Sequence, residues 1–322
     1  MGRNHAAAIA RAGGRLVAVV DPQLERARQL AGLGDAFRSF EELAARHDRI
    51  DVVHVCAPLE AHAELVEQAI ALDAHLVVEK PLAPDAATTA ALLAAAEERR
   101  LMVVPVHQFL FQPGVQRLLA SRDRFEPLVR CVFETATAGA ERTNLDPDDL
   151  VADILPHPLA LFSRFAPVAL SELKWLAVRP APGELRALAE GGGTTFEIVI
   201  STRARPTHAT FDLVGTQASA HADLFHGFAV VERGAATRFR KLARPFMLAG
   251  ATLGRAGGNL ATRAAARETA YPGLRELVRR TYDAIGSGSP PPIEGRETLA
   301  IAVAREAILT AAAAPAPGRT PP

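Results

Sequence analysis

Val77-Val78-Glu79-Lys80-Pro81-Leu82-Ala83 is the stretch from which the fold of this 322-residue chain can be worked out. An apolar strand, Leu76 to Val78, ends in a carboxylate, an amine and a proline. Lysine is a compact charge whose pKa falls readily when it is desolvated, which suits it to proton transfer. By itself the stretch is equally a surface salt pair before a proline turn, so its neighbours must decide.

Those neighbours alternate. Ala6–Ala12 reads as a small-residue helix closed by Gly13-Gly14, and Leu16-Val17-Ala18-Val19-Val20-Asp21 as an apolar strand buried on both faces. Helical spacing resumes over 24–33 and 40–47. A strand follows at Asp51–Cys56, broken by Ala57-Pro58, then a helix over 61–72, a strand at 75–79, an Ala-rich helix over 86–99 and a last strand at 102–106. Strands separated by helices of ten or more residues predict right-handed βαβ units and a doubly wound, Rossmann-type parallel α/β sheet. Such sheets bind ligands outside the carboxyl ends of their strands. Asp21, Pro58 and Lys80 all stand at strand ends, which predicts a shared crevice.

A dinucleotide fold normally opens with a strand and a Gly-x-Gly-x-x-Gly turn that delivers backbone amides to the pyrophosphate. Here Gly2 stands alone, 19 residues before Asp21, the spacing expected between the last glycine and the ribose-binding acid. The expectation is that the sequence as given starts inside the motif, at a misassigned start; the competing expectation is a short chain with a crippled nucleotide site.

With these residues collected, the chain resembles the oxidoreductase family named after glucose–fructose oxidoreductase, inositol dehydrogenase and MocA (Gfo/Idh/MocA). Gly2 to His5 is similar to the end of that family's nucleotide turn, Cys56-Ala57-Pro58 with His62 to its Thr-Pro…His segment, and Glu79-Lys80-Pro81 to its Glu-Lys-Pro signature. The resemblance implies a nicotinamide-dependent dehydrogenase or reductase. It implies cofactor contacts from Gly2, Arg3, Asp21, Ala57, Pro58, His62, Glu79, Lys80 and Gln108, with Lys80 near both nicotinamide and substrate. Asp21 favours a free ribose 2′-hydroxyl, and no Arg or Lys follows within three residues, so NAD is expected over NADP. At 109 or 110, where the family often carries Arg, this chain has Phe109-Leu110.

The second half supplies the substrate side. Asn144 to Asp149 reads as a helix start, with Asp146 as cap and Pro147 in the first turn. Asp153 and His157 are four residues apart, so helical geometry would put both on one face despite Pro156. Taken blind, such a pair is more often structural. Its similarity to the family's Asp-x-x-x-His motif implies a catalytic set of Lys80, Asp153 and His157. Ala160 stands where the family often has a further Asp.

After Trp175, short strands over 194–201, 207–214, 219–224 and 228–232 predict an α+β domain on an open, largely antiparallel sheet. The resemblance implies homo-oligomer formation through that sheet. His208, His221 and His226 have no metal-ligand spacing. Between Arg233 and Arg280 eleven basic residues stand against two acids, either a solvated face or a hold on an anionic substrate such as a sugar nucleotide. Gly250–Asn259 reads as a loop within it.

Charge and composition set the outer bounds. Lys+Arg and Asp+Glu are equal at 36, which removes any general pull toward nucleic acid. No run reaches the ~18 apolar residues of a membrane span, and no signal-peptide segment is visible. Cys56 and Cys131 lie in apolar runs and read as buried thiols. A cytoplasmic enzyme is expected, with an NAD domain at 1–106, a substrate domain at 107–314 and a disordered tail at 315–322. It would act on a secondary alcohol or ketone of a sugar, cyclitol or sugar nucleotide, with no nucleic-acid or membrane partner. The alternative is a non-catalytic relative serving as a binding or scaffold protein.

Overall fold

The computed structural model describes residues 1–32, 34–138, 146–234, 237–265 and 272–313. The chain divides into two compact units: Met1–Gln108 with Leu274–Leu299, and Phe109–Gly273 with Ala300–Pro322. The boundary lies two residues past the expected 106, and Leu274–Leu299, assigned from sequence to the second domain, packs with the first. The expected tail at 315–322 lies outside the described residues.

In the first unit, α1 (Gly2–Arg11) leads to β1 (Ala18–Val20), α2 (Leu24–Ala31), β2 (Asp35–Phe37) and α3 (Phe40–Ala44). Then come β3 (Val52–Val55), α4 (His62–Ala71), β4 (His75–Val78), α5 (Ala86–Glu98) and β5 (Val103–Pro105). Every ladder is parallel, but the strands fall into two sheets, β1-β2 and β3-β4-β5. Strand β2 is three residues long and had no apolar run to announce it. Strand β1 is half-buried rather than buried on both faces, because among the described residues only one of its edges is laddered, to β2. Strand β4 meets the expectation for a central strand: Leu76, Val77 and Val78 are fully buried, and Leu76 and Val78 share a core with Val66, Ala69 and Leu92 of α4 and α5. Asp85 caps α5 by accepting from the Thr88 amide at 2.7 Å.

In the second unit, α6 (Pro113–Leu119) precedes β6 (Leu128–Ala136), α7 (Pro147–Ile154), α8 (Pro156–Phe165), β7 (Leu176–Val178), β8 (Glu184–Gly191), β9 (Thr194–Ser201), β10 (His208–Gly215), β11 (Ala218–Asp223) and β12 (Phe228–Arg233). These strands form one seven-stranded sheet in the order β12-β11-β10-β6-β9-β8-β7, antiparallel except for β6 beside β9. Its strands alternate buried and exposed residues, so one face makes a core. Phe133, Phe196 and Phe211 fill that core against Phe162 and Phe165 of α8.

Three helices close the chain: α9 (Arg238–Ala265), α10 (Leu274–Ser287) and α11 (Gly295–Ala313). The expected loop at Gly250–Asn259 is the middle of α9. Glycines cost a helix about 1 kcal/mol each. Contacts along one side of α9 outweigh this: Asn259 and Arg263 both donate to the His226 carbonyl, and Arg244 forks onto Glu232. Asn144 and Leu145 of the expected helix start lie outside the described residues, whereas Asp146 does cap α7, accepting from the Asp148 amide at 2.7 Å. Both cysteines are free thiols, pushed up to about 12 by burial.

Candidate active site

Register is what builds the site in the first unit. Val55 pairs with Val78 and Val78 with Pro105, so three strands end level with one another. The ladder runs one step further, with Glu79 N donating to the Val55 carbonyl and Val106 N to the Val78 carbonyl. Residues 56–58, 79–81 and 106–108 therefore leave the sheet along one edge, as the strand-end argument requires. His62, buried at the start of α4, has Nδ1 at 2.9 Å from the Pro81 carbonyl and Nε2 at 3.0 Å from the Ala57 carbonyl. It thereby holds two of the three exits together. The Lys80–Pro81 peptide is cis, and Lys80 is partly exposed beyond Glu79. Gln108 is buried at the start of a short 3-10 turn that follows His107.

Glu79 looks inward. Its Oε1 lies 3.0 Å from Nε2 of His5 in α1; Nδ1 of His5 lies 2.8 Å from Nδ1 of His54 in β3; and Nε2 of His54 lies 2.9 Å from the Tyr282 hydroxyl in α10. His5 is 1% exposed and Glu79 7%. A carboxylate only accepts, so His5 donates from Nε2 and, when neutral, accepts at Nδ1 from His54, whose Nε2 then accepts the Tyr282 proton. Burial first, then the neighbouring His5 charge, holds His54 well below the usual histidine range, in keeping with a neutral ring. Burial also pushes the Tyr282 hydroxyl up to about 12. Gly14 makes room for this arrangement, since a Cβ there would come within 2.7 Å of the Tyr282 ring. Sequence reasoning included Glu79 but missed His5, His54 and Tyr282 as a set. The only local signal was a polar His54 inside a valine strand.

At the nucleotide end, Gly2 and Arg3 open α1, whose first amides point outward as in any helix N-terminus. Asp21 follows β1, its amide bonded to the Phe37 carbonyl and its Oδ1 accepting from the Gln23 amide. A helix start with a glycine, and a carboxylate closing the next strand, fit a dinucleotide's pyrophosphate and ribose. Asp21 ends the β1-β2 sheet, whereas Pro58 and Lys80 belong to the other.

In the second unit, Leu155 keeps right-handed helical angles between α7 and α8, so Pro156 divides the helix without breaking its course. The His157 ring lies tilted against Phe109, centroids 4.5 Å apart. Asp153 acts on a residue that the sequence did not single out. Arg305 of α11 is buried, which lowers its pKa, and the Asp153 charge opposes that shift. Arg305 also donates to the Ala152 carbonyl at 3.1 Å. Arg305 lies 152 positions after Asp153 and carries no spacing signal.

Of the expected anion-holding arginines, Arg244 is committed to Glu232, and Arg279 and Arg280 to Glu276. The histidines of the open sheet face acids: His208 with Glu134, His221 with Asp212, His226 with Asp223. Among the described residues there is no group of three or more His, Cys, Asp or Glu placed to hold a metal ion, and no helix is long and apolar enough to cross a membrane.

The chain thus combines a parallel βαβ unit, with polar residues along its strand carboxyl ends, and a unit built on an open mixed sheet. Residues 1–107 match the Gfo/Idh/MocA model, described as an oxidoreductase family with an NAD-binding Rossmann fold. Among curated proteins, none matches the sequence. Solved structures share the fold over nearly the whole chain. UDP-N-acetylglucosamine 3-dehydrogenase GnnA from Acidithiobacillus ferrooxidans is 20% identical with a TM-score of 0.76, covering 97% of this chain and 94% of its own. Levoglucosan dehydrogenase, in complex with NADH and levoglucosan, is 15% identical with a TM-score of 0.78, covering 97% and 94%. The WlbA dehydrogenase from Bordetella pertussis, in complex with NADH and UDP-GlcNAcA, is 16% identical with a TM-score of 0.74, covering 96% and 91%.

Proposed function

We propose that this protein moves a hydride between NAD and a secondary alcohol or ketone carried by a sugar, cyclitol or sugar nucleotide. The single observation that supports the reading is the level ending of β3, β4 and β5, which puts Lys80 at the carboxyl edge of the parallel sheet, in the segment that matches an NAD-binding family model. Structural similarity to UDP-N-acetylglucosamine 3-dehydrogenase and to levoglucosan dehydrogenase supports a carbohydrate as substrate.

Gly2 and Arg3 would hold the pyrophosphate through backbone amides, Asp21 the adenosine ribose, and Ala57, Pro58, His62, Glu79 and Gln108 would shape the nicotinamide side. When bound, NAD supplies the acceptor for the hydride that leaves the carbinol carbon. In the oxidation direction a ring nitrogen of His157 takes the hydroxyl proton as the C–O bond becomes a carbonyl. Asp153 stabilises the imidazolium so formed, sharing its charge with Arg305. Lys80 donates to the substrate oxygen as negative charge develops on it, an interaction stronger in the transition state than in the ground state. The enzyme would work in the cytoplasm as a homo-oligomer using the open sheet face.

NADH fluorescence titration, followed by a turnover screen over sugars, inositols and nucleotide sugars with NAD, tests this reading. Binding with turnover of one carbohydrate class is the expected result. A chain that binds no NADH and turns over nothing would instead serve as a non-catalytic binding or scaffold protein.

A further inference from the structure

Helix α9 is packed inside out. Against β12 and its flanking turn it sets Leu248, Thr252, Ala256, Asn259 and Arg263, which are wholly or partly buried and mostly small or polar. Outward it turns Leu242, Phe246, Leu253 and Leu260, with Phe246 82% and Leu253 77% exposed. At 100° per residue these four fall within a sector of about 40°. Monomeric proteins seldom leave so continuous an apolar ridge uncovered.

Glycines raise the same question. Gly250, Gly254, Gly257 and Gly258 stand in mid-helix, and a Cβ at any of them would meet nothing within 4 Å. Each is a poor helix former in such a position. The chain's own packing does not require them, whereas close approach of another helix would.

We propose that α9 is an isologous interface, pairing antiparallel with α9 of a second copy of this chain. The argument is self-complementarity. An antiparallel copy centred between Ala251 and Thr252 sets Phe246 opposite Gly257, Leu253 opposite Gly250, Leu242 opposite Ala261 and Leu260 opposite Ala243. Each bulky residue of the ridge meets a small one, as a two-fold contact requires. Charge points the same way. The helix carries six basic residues and no acid, but from Leu242 onward they lie off the ridge, with Arg244 and Arg263 turned back onto Glu232 and the His226 carbonyl. The ridge itself is uncharged and suits an apolar partner better than an acidic one. The outer half of a 28-residue helix offers roughly 700 Å² per copy, against about 800 Å² per partner in a standard interface.

Sedimentation velocity on the full chain and its variants tests this, with circular dichroism as the folding control. The wild type is expected at an even multiple of its 34.2 kDa chain mass. Leu253→Glu, and separately Gly250→Leu, each change an exposed position and are expected to halve that mass with the spectrum unchanged. Under mild oxidation the double variant Phe246→Cys/Gly257→Cys is expected to give a covalent dimer, and Phe246→Cys alone none. A wild type at one chain mass, or a Leu253→Glu variant keeping the wild-type mass, would overturn the proposal. So would a single-chain wild type that sediments with phosphatidylserine vesicles and loses that binding in Leu253→Glu, because the ridge would then face lipid.

Discussion

The Tyr282 hydroxyl meets Nε2 of His54 at 2.9 Å, across 228 residues of chain. This bond brings a helix from near the end of the sequence into the nucleotide-binding unit and closes a chain of polar contacts running through His5 to Glu79 beside Lys80. Removing its donor leaves a buried ring nitrogen without a partner. Tyr282→Phe is therefore expected to cost about 1–3 kcal/mol, read from urea denaturation at pH 8. The His54 pKa is depressed, so the unfolded chain binds the proton first: the stability contributed is complete above about 6.5 and drains away as pH falls below it. His54→Gln should flatten that decline; an unchanged slope would remove His54 as its source.

Lys80 and His157 can each be tested by kinetics once a substrate is in hand. Lys80→Ala and His157→Ala are each expected to lower turnover at least ~100-fold, the range of a lost acid/base or oxyanion-holding group. NADH affinity should stay within a few-fold of wild type. Full activity in either variant would withdraw the role given to that residue.

Gly215 ends β10 where the β10–β6 register shifts, and a Cβ there would collide with the Phe125 backbone carbonyl. Backbone cannot swing aside as a long side chain can. Gly215→Ala should destabilise the protein by about 3 kcal/mol or more, a loss that calorimetry would show as a lower Tm. A neutral substitution would mean that the 125–127 segment moves freely.

Glu276 accepts from both Arg279 and Arg280, and these bonds, Arg279 first, bring it down from 4.5 to about 2. In full, that shift corresponds to about 3 kcal/mol. Solvent screening at a carboxylate one-third exposed reduces it to about 1 kcal/mol. For a depressed carboxylate the contribution is present above about 4.5 and lost as pH falls toward 2. Glu276→Gln should thus cost about 1 kcal/mol at pH 7 and almost nothing near pH 2, a difference that denaturation at the two pH values measures.

Sequence by itself determined the alternation of strand and helix through the first hundred residues, and the placing of Asp21, Pro58 and Lys80 at strand ends. It also located the strands of the open sheet from 194 onward, but not β7 and β8. All of these rest on periodicity and on proline or glycine punctuation, which act within a few residues and so are legible locally. Only the tertiary structure decided the rest. The three-residue β2 exists because β1 offers it a ladder. Gly250–Asn259 is helix because α9 finds partners at His226 and Glu232. The Asp153 charge acts on Arg305, and His5, His54, Glu79 and Tyr282 meet at 2.8 to 3.0 Å in one chain, because packing brings distant residues together and no local pattern records which ones will meet.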